Sequence, residues 1–163
     1  NFANRLKINK CLLALIVTAV FSAIFARLAI REKDWENPMT LAVAGTKTSP
    51  LSNKIWNNYA VQLAGAGNTA EAEAACTRAI EIYPNAFTAL RNRAYYRIKL
   101  GKNSEALEDL KKCIKIMGLK DIEVFNKAGA ICAVAGNYDS AKHYWNLSLR
   151  IKPGQKQIIN ALQ

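Results

Sequence analysis

Histidine, acidic side chains and metal-binding spacings are what this 163-residue chain has least of. There is one histidine, His143, and the four cysteines, Cys11, Cys76, Cys113 and Cys132, form no CxxC or Cys/His pattern. That argues against a zinc site, which needs several thiolate or imidazole ligands at short spacings. No cofactor and no metal is expected. Catalysis by this chain alone also lacks its parts. No nucleophile stands with a base, and no pair of acids shares a pocket. The glycines of Gly65-Ala66-Gly67 follow no strand, so they do not form a dinucleotide turn. Acids are scarce as well: 12 Asp/Glu face 23 Lys/Arg, a formal charge of +11. Residues 51–163 hold 16 of the bases and 9 of the acids, a net +7. Such a surface favours acidic protein segments or anionic lipid. The bases are spread over several helical stretches with no recognition motif, so no nucleic-acid partner is expected. The plain alternative is a solvated basic surface.

Charge is missing altogether from one long stretch. Asn1–Lys10 forms a basic flank with Arg5, Lys7 and Lys10 and no acid. Cys11–Ala26 then carries no charge, and extension to Ile30 adds only Arg27. Residues 11–30 as a helix at 1.5 Å rise match a hydrocarbon layer of about 30 Å. Arg27 lies near enough to the end to snorkel, and Trp35 suits an interface. A secretory signal would be shorter, with a small-residue cleavage site that is missing here. The expectation is a single membrane-spanning helix, with a buried core helix as the alternative. Basic residues near its two ends are almost balanced; the purely basic N-terminal side favours that end inside and the rest of the chain outside. The first residue is asparagine, which fits a processed terminus or a start within a longer polypeptide. Residues 31–52 connect this helix to the remainder. Asn37-Pro38 opens a short helix there, capped by Asp34 or Asn37, and Thr46–Pro50 closes it.

From Asn53 onward the chain is periodic. Trp56, Tyr59, Ala60 and Leu63 share one helical face, and Gly65, Gly67 and Asn68 supply a turn. Ala72, Ala75, Cys76, Ala79 and Ile82 form a second face, ending at Tyr83-Pro84. The pattern returns as Leu90, Arg93-Ala94, Gly101, Ala106, Leu110, Cys113 and Met117-Gly118. It returns again as Phe125, Ala128-Gly129, Cys132, Gly136, Tyr138, Ala141, Trp145, Ser148 and Pro153. Pro50 lies 34 residues before Pro84, and Pro153 lies 69 after it, one unit of 34 and one of 35. Pro38–Pro50 thus falls in frame with the second helix of a half unit. The middle unit departs: Gly118 replaces proline, one residue is added, and Arg93 occupies a usually apolar place. Helices are expected near 53–65, 69–82, 87–100, 104–117, 121–134 and 138–151, with Asn103-Ser104 and Asn137 at caps. A short helix within 155–163, with Ile158, Ile159 and Leu162 on one face, would cover the end. Cys76, Cys113 and Cys132 should face the core as small apolar groups; a Cys113–Cys132 bridge would need an oxidising compartment.

Aromatic, large-small pair, alanine, bulky residue and closing proline at this spacing resemble the tetratricopeptide repeat. The resemblance implies an all-α fold. It would comprise a flank (1–10), a transmembrane helix (11–30), a juxtamembrane half repeat (31–52), three repeats (53–86, 87–121, 122–155) and a capping helix (156–163). It also implies a concave groove lined by the first helix of each repeat. Carried over by position, that groove shows Lys54, Asn57 and Val61, then Arg91, Tyr95, Ile98 and Lys99, then Glu123, Asn126 and Ala130. An arginine and a lysine flanking an aromatic suit a carboxylate-bearing or extended peptide.

Two narrower resemblances follow. RNRAYYRIKLGKNSEALEDL, residues 91–110, is similar to the second repeat of chaperone-tail-binding proteins, and Asn92 matches one of their carboxylate-binding asparagines. Asn57, Val61 and Glu123 stand where a lysine, an asparagine and a lysine are expected, so the full clamp is rejected. Residues 12–66 resemble the junction of last span and repeats in tetratricopeptide-bearing O-mannosyltransferases, whose catalytic acids lie in spans absent here. The main expectation is a membrane-anchored adaptor holding a protein partner within a membrane complex. The alternative is the non-catalytic tail of a multi-spanning glycosyltransferase. Asn146-Leu147-Ser148 fits a glycosylation acceptor, but its mid-helix position disfavours use.

Overall fold

The computed structural model describes residues 10–34, 37–118 and 121–162. Among them are nine helices and no strand. They are α1 (Lys10–Asp34), α2 (Pro38–Thr48), α3 (Asn53–Gly65), α4 (Thr69–Ile82), α5 (Phe87–Lys99), α6 (Asn103–Met117), α7 (Ile122–Val134), α8 (Tyr138–Ile151) and α9 (Lys156–Ala161). α3–α4, α5–α6 and α7–α8 are successive hairpins. Each first helix also packs on the second helix before it, which makes the array a one-dimensional stack.

Close approach within each hairpin follows from residue size. Ala60, Ala72 and Cys76 pack in one cluster. Ala94, Ala106, Leu110 and Cys113 pack with Val124 and Ala128 in the next. Cys132, Ala141 and Trp145 form a third. All the alanines just named are fully buried. Gly67, Gly101 and Gly136 close the three hairpin turns at φ of 88°, 75° and 76°, a left-handed region that glycine enters without strain. Gly118, in place of the proline of the other units, ends α6 at φ 64° and ψ −150°, a conformation essentially reserved for glycine.

Capping separates the alternatives left open by the sequence. Asn37 caps α2: its side chain accepts from Thr40 N at 2.9 Å, and Thr40 Oγ1 accepts from Asn37 N at 3.4 Å. Asn137 caps α8 by accepting from Ser140 N at 3.1 Å. Asn103 does not cap α6; it is the first helical residue, after Lys102. Asp121, expected inside α7, instead caps it by accepting from Glu123 N and Val124 N.

The expected burial of the cysteines holds for Cys76, Cys113 and Cys132. Cys76, Cys113 and Cys132 are buried free thiols, and Cys113 and Cys132 lie in different clusters. Burial pushes the Cys76 and Cys113 thiols up to about 12. In the acceptor triplet Asn146 is exposed on α8 and Ser148 is fully buried.

α1 is helical across the expected 11–30 region and beyond it, for 25 residues. Among the described residues, however, no helix is long and apolar enough to cross a membrane. The described side chains of α1 run only from Leu12 to Leu28, about 25 Å of helix against a layer of about 30 Å. Every one of them is exposed. Arg5, Lys7 and Trp35 lie outside the described residues, as does the side chain of Cys11.

Gly129 is the tightest crossing. A Cβ there would fall well inside van der Waals distance of the Trp145 ring. Gly129→Ala is therefore expected to destabilise the third hairpin by about 1–3 kcal/mol through overpacking. A thermal melt unchanged from wild type would show that Trp145 yields freely.

Candidate functional site

The site is built on α5, whose two faces do opposite things. Arg93 and Arg97, one turn apart, face inward. Arg93 donates from Nε to Asp109 Oδ2 at 2.8 Å, from Nη2 to Asp109 Oδ1 at 2.7 Å and from Nη1 to Thr77 Oγ1 at 3.1 Å. Arg97 donates to Glu73 Oε1 at 2.9 Å and to Asp109 Oδ2 at 2.8 Å. Lys102 completes the network by donating to Glu73 Oε2 at 2.8 Å. Asp109 is 1% exposed and Arg93 8%. Burial works against the charge of Arg93, but its hydrogen bonds to Asp109 and that carboxylate's charge hold its pKa above the ordinary value. Burial likewise pulls the Glu73 carboxyl up, and hydrogen bonds from Lys102 and Arg97 outweigh it, so its pKa is lowered. The network ties α4, α5 and α6 together and orients α5.

The outward face of α5 carries Arg91 and Tyr95. Tyr95 is 39% exposed. Lys99 Nζ lies 4.8 Å and Lys127 Nζ 4.7 Å from its ring centroid, within the range of cation–π attraction. Lys127 also donates to Glu123 Oε1 at 2.6 Å, which holds that carboxyl below its ordinary value. Arg91 lies 5.5 Å from the Phe87 centroid and 3.5 Å from Asp121 Oδ2. Beside this face a cavity of about 430 Å³ is lined by Asn53, Lys54, Asn57, Asn58, Asn85 and Thr88 among others.

The groove residues expected from the sequence divide accordingly. Lys54, Tyr95, Lys99, Glu123 and Ala130 are exposed. Asn92 donates to Asn57 Oδ1 at 3.0 Å, so these two asparagines join α3 to α5. Ile98 packs against the core cluster of the middle hairpin and does not line the groove. Asn126 donates to Gln155 Oε1 at 3.0 Å, a tie to the segment before α9. Val61 faces a separate cavity against α2. Lys127 was not singled out by sequence; its spacing of four from Glu123 was the available signal.

The tetratricopeptide-repeat family model matches residues 89–116, the middle hairpin. The fold is an all-α superhelical array like that of tetratricopeptide-repeat structures. The crystal structure of MamA is similar, with TM-score 0.73 and 14% identity, covering 81% of this chain and 77% of that one. YrrB, described as a TPR protein with an unusual peptide-binding site, gives 0.67 and 15%, covering 74% and 62%. The first TPR of Spaghetti (RPAP3), bound to the HSP90 peptide SRMEEVD, gives 0.63 and 18%, covering 68% and 87%. At these identities the likeness is one of fold alone. No curated protein matches the sequence, and nothing in the comparisons supports the O-mannosyltransferase resemblance.

Asp109→Leu strands the buried guanidinium of Arg93, while Arg97 keeps Glu73, and is expected to lower stability by about 3–5 kcal/mol, whereas adding Arg93→Met recovers much of it. Denaturant unfolding of both variants checks this. Glu73 gives the pH dependence. Its folded pKa lies below the unfolded value, so its contribution is complete above about 4.5 and is lost as pH falls through the lowered folded value. In Glu73→Gln the acid limb of the stability–pH curve should flatten.

Proposed function

We propose that the array is a protein-interaction adaptor that holds an extended, acidic segment of a partner along the exposed faces of α3, α5 and α7. The observation that supports this best is Tyr95 with the ammonium groups of Lys99 and Lys127 beside its ring in an open groove. An extended acidic strand lying there gains two charge-assisted contacts and an aromatic platform. The asparagine-lined cavity near Lys54 offers amide groups for peptide backbone. Two proteins of the same fold, YrrB and Spaghetti, are described with peptide sites, which fits an interaction role for this fold. Repeat arrays of this kind are typically non-catalytic, and the reading is of an adaptor, not an enzyme.

The test is titration of the full chain with a fluorescein-labelled decapeptide rich in Asp and Glu. Replacing Lys99 and Lys127 together by glutamate is expected to weaken binding at least tenfold at an unchanged melting temperature. Equal affinity for the double variant would end the reading.

We also propose that α1 tethers the array to a bilayer, the N-terminal side inside and the repeats outside. Its support is the uncharged run Cys11–Ala26 and the exposure of every described α1 side chain, among which Arg27 is the one ion. Water alone is a poor solvent for such a helix. In membranes of the native host, the chain should stay in the pellet after carbonate washing and its repeats should be open to external protease. Release by carbonate would remove the tether; protection of the repeats would reverse the orientation.

A further inference from the structure

One acid stands among the basic residues of the groove. After Asp121 the chain has only two carboxyl side chains, Glu123 and Asp139. Glu123 lies in the first turn of α7, one turn before Lys127. Lys127 Nζ donates to Glu123 Oε1 at 2.6 Å, and the same ammonium lies 4.7 Å from the Tyr95 centroid. Glu123 is therefore one hydrogen bond away from the cation that sits at the ring. That hydrogen bond holds its carboxyl below the ordinary value, so it is ionised at neutral pH.

Helix stability explains part of this placement. An acid in the first turn meets the positive end of the helix, and an opposite charge four residues on adds slight support. Neither effect uses the outer oxygen. The Glu123 side chain is 58% exposed, and no described residue donates to its Oε2. Arg91 acts on it only through space, since the guanidinium is held by Asp121 at 3.5 Å. Lys99, the other ammonium at the Tyr95 ring, forms no ion pair among the described residues.

Both signs of charge thus lie side by side. Lys99 and Lys127 make a positive place about Tyr95, and Glu123 makes a negative one a turn away. Four residues of α7 rise by about 6 Å. On an extended strand, side chains two residues apart point the same way and are about 6.6 Å apart. The two spacings match for a strand running along α7. An all-acidic strand would set a second carboxylate against Glu123, where like charges repel. A lysine or arginine two residues from the acid would instead donate to Glu123 Oε2.

We propose that the groove selects an extended partner segment in which an acidic and a basic residue stand two positions apart, the acid beside Tyr95, Lys99 and Lys127 and the base on Glu123. Glu123 sets this selectivity. This rests on the groove being the peptide site and narrows what that site takes.

The test titrates the full chain with three fluorescein-labelled decapeptides. The alternating peptide repeats Glu-Thr-Lys-Thr. The shuffled peptide repeats Glu-Lys-Thr-Thr, with the same composition but with Glu and Lys on opposite sides of a strand. The acidic peptide repeats Glu-Thr. Wild type should bind the alternating peptide at least fivefold tighter than the shuffled one. Glu123→Gln should weaken the alternating peptide at least threefold and tighten the acidic one at least threefold, and its melting curve checks that it is folded. Bulk attraction would tighten both, because both peptides are net negative, so the opposite signs identify local pairing. A gain for both peptides, an unchanged affinity for the alternating one, or equal wild-type binding of the alternating and shuffled forms would overturn the proposal and leave the groove standing. No binding of any of the three by wild type would end both.

Discussion

Everything in this array follows from how closely two helix backbones approach at one point per hairpin. Ala60, Ala94 and Gly129 recur at intervals of 34 and 35 residues; Ala72 and Ala106 pack with the first two, and the Trp145 ring lies against Gly129. With so little side chain on the first helix at the crossing, the large residues on either side close over it. Leu90, Leu110 and Phe125 are fully buried for that reason. Because each hairpin repeats the same crossing, the first helices line up on one side, and a groove exists before any residue in it is specified.

The middle hairpin keeps this geometry with a different filling. Arg93 and Arg97 would be destabilising inside the stack if left alone. Asp109, Glu73 and Thr77 meet their donors, and the ion network replaces apolar contact between α4, α5 and α6. The consequence reaches the surface. Five basic residues lie on or beside α5 and α7 in this region, and two of them are consumed inward. Lys99 and Lys127 lie beside the Tyr95 ring, and Arg91 lies over Phe87. The basic character of the chain is therefore sorted by helical phase: positions 93 and 97 tie α4, α5 and α6 together, and positions 91, 95 and 99 lie on the outward face of α5.

That sorting also marks where sequence reading ends. Helix number, hairpin boundaries and the buried cysteines were legible because they depend on local spacing and on residue size. Arg93 was visible as a departure, but its partner was not. Asp109 lies 16 residues away and Glu73 lies 24 from Arg97, and nothing local pairs such distant charges. Ile98 was assigned to the groove because position alone cannot distinguish a residue at the edge of a helical face from one at its centre; packing draws it inward. The partner of Asn126 was not legible either: Gln155 follows α8, and a tie between such a position and the end of the array has no periodic signature.

The two ends of the stack are finished differently, and the difference is physical. At the C-terminal end, Ile158 and Leu162 on and after α9 pack on the cluster of Cys132, Ala141 and Trp145, so the last hairpin has a cover. At the other end α2 covers α3, and Met39 packs beside Trp56 and Tyr59. Before α2 the position of the turn glycine is held by Lys33, and α1 runs on as a helix to Asp34. The absent glycine thus leaves α1 and α2 as consecutive helices without the tight turn of the other hairpins, while the C-terminal end of the stack is covered by α9.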